Sequence, residues 1–142
     1  MPDTAYLDWN ATAPLRSEAR AAMMAALAGP GNPSSVHSHG RAARRVVEDA
    51  RAAVAALVGA VPEDVVFTSG GSEANALALR GSDLPVAVSA VEHASVLEAR
   101  EDVLRVPVDG RGLVVPEVLD ALLAARGPML VSVMMANNET GA

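Results

Sequence analysis

The second half of the sequence alternates short apolar runs with helix-forming segments, and this alternation constrains the fold more than any other feature. The three apolar runs of strand length are residues 85–89, 103–108 and 129–135. The helix-forming segments are residues 73–80, 95–100 and 116–125. Pro116 suits the first turn of the last of these helices. Strands that alternate with helices predict an α/β fold with a mostly parallel sheet and flanking helices.

The first half predicts two helices and one further strand. Residues 17–27 are rich in alanine and methionine, and Ser17 is placed to cap this helix. Over residues 41–58 apolar side chains recur every three or four positions, and Gly59 suits the end of that helix. Residues 65–68 are a β-branched and aromatic run that predicts a strand. We divide the chain into an arm, helix and loop at 1–40 and the start of an α/β core at 41–142.

Charge and composition exclude several classes of protein and of site. The net charge of -6 and the pI near 4.9 leave no basic face for nucleic acid or an anionic membrane. No apolar stretch approaches the roughly 20 residues of a spanning helix, and no secretory signal is recognisable, so we expect a cytoplasmic protein. Cysteine is absent and all 11 basic residues are arginine, so the sequence supplies neither a thiol nor a lysine amine.

Three polar clusters follow three predicted strands. Residues 68–73 combine two glycines and hydroxyls at a helix start, which suits a phosphate, although a plain tight turn is the alternative. His93 suits proton transfer or stacking on an aromatic ligand, or is an ordinary hydrogen-bonded histidine. Residues 137–140 offer amide groups for a ligand, or form a turn. Because ligands bind at the carboxyl edge of parallel sheets, the three clusters together indicate a binding site there.

The loop at residues 31–41 contains two histidines, His37 and His39. A metal pair is conceivable, but no carboxylate or third ligand stands beside them. We therefore expect no metal, and a structured loop that contacts a site or a partner subunit.

Five motifs carry a resemblance to a known family. They are residues 6–14, the loop 31–41, residues 68–75, the pair Glu92 and His93, and residues 137–141. In this order they closely resemble the amino-terminal part of cysteine desulfurases of the NifS/IscS type. Those enzymes belong to the class V aminotransferase family of fold-type I enzymes that use pyridoxal 5'-phosphate (PLP). Trp9 and Ala13 depart from the family's usual asparagine and threonine, and Ser72 replaces the usual threonine while keeping a hydroxyl.

The resemblance implies a fold and a set of residue roles. The fold would be part of a fold-type I PLP-transferase large domain, without the small carboxy-terminal domain. The backbone of Gly71 and the backbone and hydroxyl of Ser72 would hold the cofactor phosphate. His93 would be the catalytic residue, stacking on the pyridine ring and assisting proton transfer. Asn138 would contact the cofactor near its phenolic oxygen and the incoming substrate.

The resemblance also implies which parts of the family pattern lie beyond residue 142. These are the aspartate on the pyridine nitrogen, a glutamine, the Schiff-base lysine, the sulfur-receiving cysteine and the substrate-binding arginine. We expect a truncated or split cysteine desulfurase, inactive as an isolated chain. Its parent reaction would convert L-cysteine to L-alanine and pass sulfur to an acceptor protein for iron–sulfur cluster or thio-cofactor assembly. A homodimer or a complementing chain would complete the enzyme.

Two alternatives stay open on the sequence alone. One is a sister class V enzyme such as a selenocysteine lyase, although the opening motif and the loop 31–41 favour the desulfurase. The other is a non-catalytic interaction remnant that pairs with a full-length subunit through the helix at residues 41–58.

Overall fold

The computed structural model describes residues 4–142 in two compact units that divide between Phe67 and Thr68. The first unit is helical, and the second contains the sheet. Among the described residues, no helix is both long and apolar enough to cross a membrane.

The first unit begins with helix α1, Ser17–Leu27, whose bounds are those predicted. The predicted cap is wrong, because the N-cap is Arg16 and no side chain caps this helix. A capping residue must precede the helical backbone, whereas Ser17 is already its first helical residue. Helix α1 therefore starts without a side-chain acceptor for its free N–H groups.

Helix α2, Ser38–Val58, begins before the predicted Arg41 because His37 caps it. The Nδ1 atom of His37 accepts a hydrogen bond from the backbone N–H of Gly40 at 3.2 Å. Gly40 must lack a side chain, since a Cβ there would lie 2.2 Å from the carbonyl oxygen of Ser35. The helix ends as predicted at Gly59, which has a left-handed φ of 71°.

The predicted strand at residues 65–68 is wrong. These residues pair with no strand of the part of the chain that the structure describes. Arg51 of α2 donates to the carbonyl oxygen of Val65, and its guanidinium lies over the Phe67 ring at 5.0 Å from the centroid. The Arg51 side chain thus donates to a carbonyl oxygen that would accept a hydrogen bond from a neighbouring strand if residues 65–68 were part of a sheet. A single 3-10 turn, Pro62–Asp64, links α2 to this segment.

The second unit confirms the predicted α/β class. Its three strands are all parallel and lie in the order β2-β1-β3, with helices flanking them. The elements in chain order are α3 (Gly71–Arg80), β1 (Val86–Ser89), α4 (Ala94–Leu97), β2 (Leu104–Val106), α5 (Pro116–Arg126) and β3 (Leu130–Ser132). The second and third strands are shorter than their apolar runs, because a strand extends only where a neighbour pairs with it.

The central strand β1 organises the core of this unit. All four of its residues are buried, and Val88 is 0% exposed. Leu79 of α3 and Val96 of α4 pack on β1 with Ala99. A strand covered on both faces is mostly apolar, and in β1 only the last residue, Ser89, is polar, so the sequence predicts it as an almost continuous apolar run. Its carboxyl end leads directly to Glu92 and His93.

Candidate active site

A cleft of about 390 Å³ lies at the carboxyl edge of the sheet. Its walls are residues 91–94, which follow β1, and residues 137–140, which follow β3. The structure therefore brings together two of the four predicted site residues, His93 and Asn138. The arrangement agrees with the general position of ligands in open parallel sheets.

The two neighbouring asparagines of this cleft differ in their surroundings. The side-chain nitrogen of Asn137 donates to the carbonyl oxygen of Val91 at 3.1 Å. Its side-chain oxygen accepts from the backbone N–H groups of Glu139 and Thr140, both at 2.9 Å. Asn137 is thus a turn residue that ties the two cleft walls together. Asn138 is exposed on the cleft wall.

His93 is held at the start of α4 by a hydrogen-bonded chain of three residues. Its Nδ1 atom accepts from the backbone N–H of Ser95 at 3.1 Å and lies 2.8 Å from the Ser95 hydroxyl oxygen. The side-chain nitrogen of Asn75, on α3, donates to the same hydroxyl oxygen at 2.8 Å. These hydrogen bonds connect α3 to His93 on the cleft wall. Neither Asn75 nor Ser95 was predicted from the sequence to support this histidine.

The other two predicted residues, Gly71 and Ser72, lie at the amino terminus of α3 rather than on the cleft wall. The first backbone bond of α3 runs from Ala74 to Gly70 at 3.1 Å, so the N–H groups of Gly71 and Ser72 have no helical acceptor. Nothing lies within 4 Å of the place where a Cβ of Gly70 or Gly71 would stand. This end of α3 therefore offers free donors in open space.

Ser72, at the amino terminus of α3, and Asn75, which bonds Ser95 beside His93, lie on the same helix. They are three positions apart, so their side chains are neighbours on one face of the helix. Because Asn75 also bonds Ser95 beside His93, that face of α3 is the one that packs against α4, which follows the cleft wall. The four predicted residues accordingly belong to two adjoining parts of one unit.

Glu73 closes the turn before α3, which the sequence analysis did not foresee. One carboxylate oxygen accepts from both the backbone N–H and the hydroxyl of Ser69, each at 2.6 Å. These bonds, with the hydroxyl as the larger influence, lower the pKa of Glu73. An acidic residue in the first turn of a helix is the sequence signal that would have found this contact.

We expect Ser69→Ala to raise the pKa of Glu73 toward its ordinary value, because the substitution removes the hydroxyl donor to the ionised carboxylate. The lowered pKa means that the contact persists above that pKa and is lost as the pH falls through it. The midpoint is measured by following the backbone amide of residue 69 by NMR during an acid titration. Thr68→Ala is the matched control, since the Thr68 hydroxyl donates to Gly70 instead. An unchanged midpoint in Ser69→Ala would contradict this assignment.

Glu92 forms part of the cleft wall beside His93. The side chain is only 8% exposed, and its Oε1 atom has no hydrogen-bond partner within residues 4–142. A buried carboxylate oxygen without a donor is energetically costly. Glu92 was part of a predicted motif, but a role was predicted for the neighbouring His93 alone.

The histidines of the loop 31–41 do not form part of this cleft. The rings of His37 and His39 have centroids 6.1 Å apart, and the Nδ1 atom of His37 caps α2. Within residues 4–142 there is no group of three histidine, cysteine or acidic residues placed to hold a metal ion. The contact of this loop with a site or a partner subunit stays a prediction.

Comparison with known proteins identifies the family. The sequence profile of the aminotransferase class-V family matches residues 5–142. The chain belongs to the class-V aminotransferase family. Similar relatives include a cysteine desulfurase from Cereibacter sphaeroides, 45% identical over 96% of this chain and 39% of the relative. A cysteine desulfurase IscS from Dictyoglomus turgidum is 39% identical over 96% of this chain and 38% of the relative. A selenocysteine lyase from Xenopus tropicalis is 39% identical over 99% of this chain and 39% of the relative.

A solved structure agrees with this membership of the class-V aminotransferases. A NifS-like protein from Rickettsia africae superposes with a TM-score of 0.87 at 36% identity, over 96% of this chain and 41% of that protein. The resemblance to NifS/IscS-type proteins is therefore confirmed, together with the α/β fold of the amino-terminal part of such enzymes. The chain spans 38–39% of the length of the three relatives named above.

Proposed function

We propose that this chain is the amino-terminal part of a PLP-dependent cysteine desulfurase, which converts L-cysteine to L-alanine and transfers the sulfur to an acceptor protein. Class-V aminotransferases and cysteine desulfurases use PLP, so the cofactor is implied by the family. The observation that carries the proposal is the set of hydrogen bonds Asn75–Ser95–His93, which links α3, the helix that begins with Gly71 and Ser72, to a residue of the polar cleft. A ligand with a phosphate at one end and a flat ring at the other fits that pairing.

The chemistry of the available donors fits this cofactor. The N–H groups of Gly71 and Ser72 and the Ser72 hydroxyl would hold the phosphate, with the helix dipole favouring the negative charge. His93 would stack on the pyridine ring, and Asn138 would contact the ring near its phenolic oxygen and the substrate. When bound, PLP serves as the electron sink of the reaction. These residues would bind and orient the cofactor and the substrate.

The 142 residues include neither lysine nor cysteine. Covalent attachment of PLP needs a lysine amine, and relay of the sulfur needs a thiol. We therefore propose that the isolated chain binds without turnover and that a longer or complementing chain supplies those groups. A homodimer, or a pair of unlike chains, would then be the working form, located in the cytoplasm.

A chimera tests the proposed reaction. Residues 5–142 replace the matched segment of the Cereibacter sphaeroides cysteine desulfurase, which supplies the remainder of that enzyme. We expect the chimera, given PLP, L-cysteine and a thiol reductant, to form alanine and sulfide in equal amounts. His93→Ala in the chimera should lower alanine formation about 100-fold, the usual effect of removing one oriented donor. Both products are measured by chromatography and by sulfide trapping.

The controls of this experiment are the 142-residue chain and an exposed arginine of the second unit. The chain alone should release no more sulfide than free PLP does. Arg126→Ala in the chimera should leave the rate close to that of the parent chimera, because Arg126 is exposed at the end of α5 and is not on the cleft wall. A chimera that folds and binds PLP without acting on L-cysteine would contradict the proposal.

Selenocysteine lyase activity is the second candidate, since relatives of that name match this chain at 36–39% identity. Both candidate reactions cleave the bond between a carbon and a sulfur or selenium atom, so the same chimera can be assayed with both substrates. A desulfurase turns over both L-cysteine and L-selenocysteine, whereas a lyase that rejects sulfur gives alanine from L-selenocysteine alone. The ratio of the two kcat/KM values decides between them.

A further inference from the structure

The hydrogen bonds around His93 fix which of its two ring nitrogens carries the proton. A backbone N–H can only donate, and that of Ser95 points at Nδ1 of His93 at 3.1 Å. Nδ1 is therefore an acceptor, and the proton of the neutral ring resides on Nε2. Both ring hydrogen bonds of His93 that the structure describes are made at Nδ1.

The side chains of Ser95 and Asn75 continue this series of hydrogen bonds, with each donor pointing toward His93. Nδ1 accepts, so the Ser95 hydroxyl, 2.8 Å away, turns its hydrogen toward the ring. The hydroxyl oxygen is then left as an acceptor, and Asn75 supplies the donor at 2.8 Å. Donation runs in one direction from Asn75 through Ser95 to His93.

We propose that Asn75 and Ser95 are positioning residues that hold His93 in the tautomer with its proton on Nε2, so that the ring presents a hydrogen-bond donor to the cleft. The inference deepens the proposed function, on which it rests for the identity of the ligand. The ligand atom that meets Nε2 is accordingly an acceptor, such as a carboxylate, a thiolate or a ring oxygen. In this tautomer Nε2 already carries its proton, so it can accept another only after the direction of donation reverses and the ring proton moves to Nδ1.

The sequence predicts two roles for His93, stacking on the ligand ring and proton transfer, and this tautomer is compatible with them to different degrees. A ring that stacks and donates needs only the Nε2 proton and a fixed plane, and the bonds at Nδ1 provide both. A general base needs an unprotonated nitrogen facing the substrate, and here that nitrogen is turned toward Ser95. The geometry therefore favours orientation of the ligand over abstraction of its proton.

The tautomer is measured directly by NMR, without cofactor or turnover. Long-range ¹H–¹⁵N spectra of the ring nitrogens are recorded on the 142-residue chain at about pH 8.5, above the ordinary range of imidazole titration. His93→Gln assigns the signals. His37 is an internal comparison, because its Nδ1 accepts one backbone N–H and no hydroxyl. We expect Nδ1 of His93 to be unprotonated and Nε2 to be protonated.

Asn75→Asp is the decisive variant. A carboxylate at position 75 can only accept, so the Ser95 hydroxyl turns toward it and offers its oxygen to His93. We expect the fraction of the ring protonated at Nδ1 to rise about fivefold, the equivalent of one net hydrogen bond. Ala74→Asp adds the same charge to the neighbouring exposed position and should change nothing. Ser95→Thr keeps the hydroxyl and should keep the wild-type tautomer.

Two results would overturn the inference. One is a wild-type ring protonated at Nδ1, and the other is an Asn75→Asp ring with the same tautomer ratio as Ala74→Asp. The wild-type measurement stands even if a variant does not fold. Neither result bears on phosphate binding at Ser72, and a chain that keeps this tautomer but binds no phosphorylated pyridine would contradict only the proposed function.

Discussion

Val88→Asp should prevent the second unit from folding. Val88 is 0% exposed in the central strand, with parallel neighbours on both sides. A carboxylate there would be buried among apolar side chains without a donor, which costs about 4 kcal/mol or more. That cost is comparable with the roughly 5 kcal/mol that holds a marginal domain folded. Loss of protected β1 amides in hydrogen exchange, and loss of the cooperative thermal transition, would be the measured results.

The matched control for Val88→Asp is Val36→Asp. It makes the same chemical change at a side chain that is 88% exposed. We expect a change in unfolding free energy within about 0.5 kcal/mol, as is usual for surface positions. If the β1 amides stayed protected in Val88→Asp, β1 could not be the buried centre of the sheet. The position of the cleft at the carboxyl end of β1 would then be contradicted as well.

The sequence predicted those elements whose stabilisation is local or whose burial is complete. Helix α2 repeats apolar residues at helical spacing and ends at a left-handed Gly59, so both its type and its end were readable. Strand β1 is buried on both faces and is therefore a plain apolar run. Residues 65–68 have the same local preference, but a strand also needs a partner, and no local pattern reports whether one exists. There, Arg51 provides the contacts instead.

The cleft was predictable only in part, for a related reason. His93 and Asn138 follow strands that share one sheet edge, and parallel topology brings such ends together whatever the intervening sequence. Asn75 and Ser95 are 20 positions apart and meet because α3 packs beside α4. Nothing in the composition of either segment indicates that contact. Ring orientation, tautomer and the direction of donation are therefore properties of packing, which a motif does not encode.

Ser72→Asp should reduce the affinity for a phosphorylated pyridine at least about 100-fold. The substitution removes a hydroxyl donor and places a carboxylate beside the free N–H groups that would bind the phosphate. Glu73 already carries one negative charge at this turn, and its lowered pKa keeps it ionised at neutral pH. A second carboxylate would compete for the same donors and repel the phosphate. The ligand is pyridoxine 5'-phosphate, which lacks the aldehyde and so reports binding without covalent attachment.

The affinity follows from the amide shifts of the first turn of α3 during an NMR titration, with unphosphorylated pyridoxine as the ligand control. Ser17→Asp is the matched protein control, because Ser17 also begins a helix and is not among the residues that line this cleft. Ser72→Ala should lose about tenfold, since it removes one bond to a charged group without adding repulsion. Equal affinities for Ser72→Asp and Ser17→Asp would mean that the phosphate binds elsewhere. The pairing of the α3 terminus with the His93 cleft would then no longer support a PLP site.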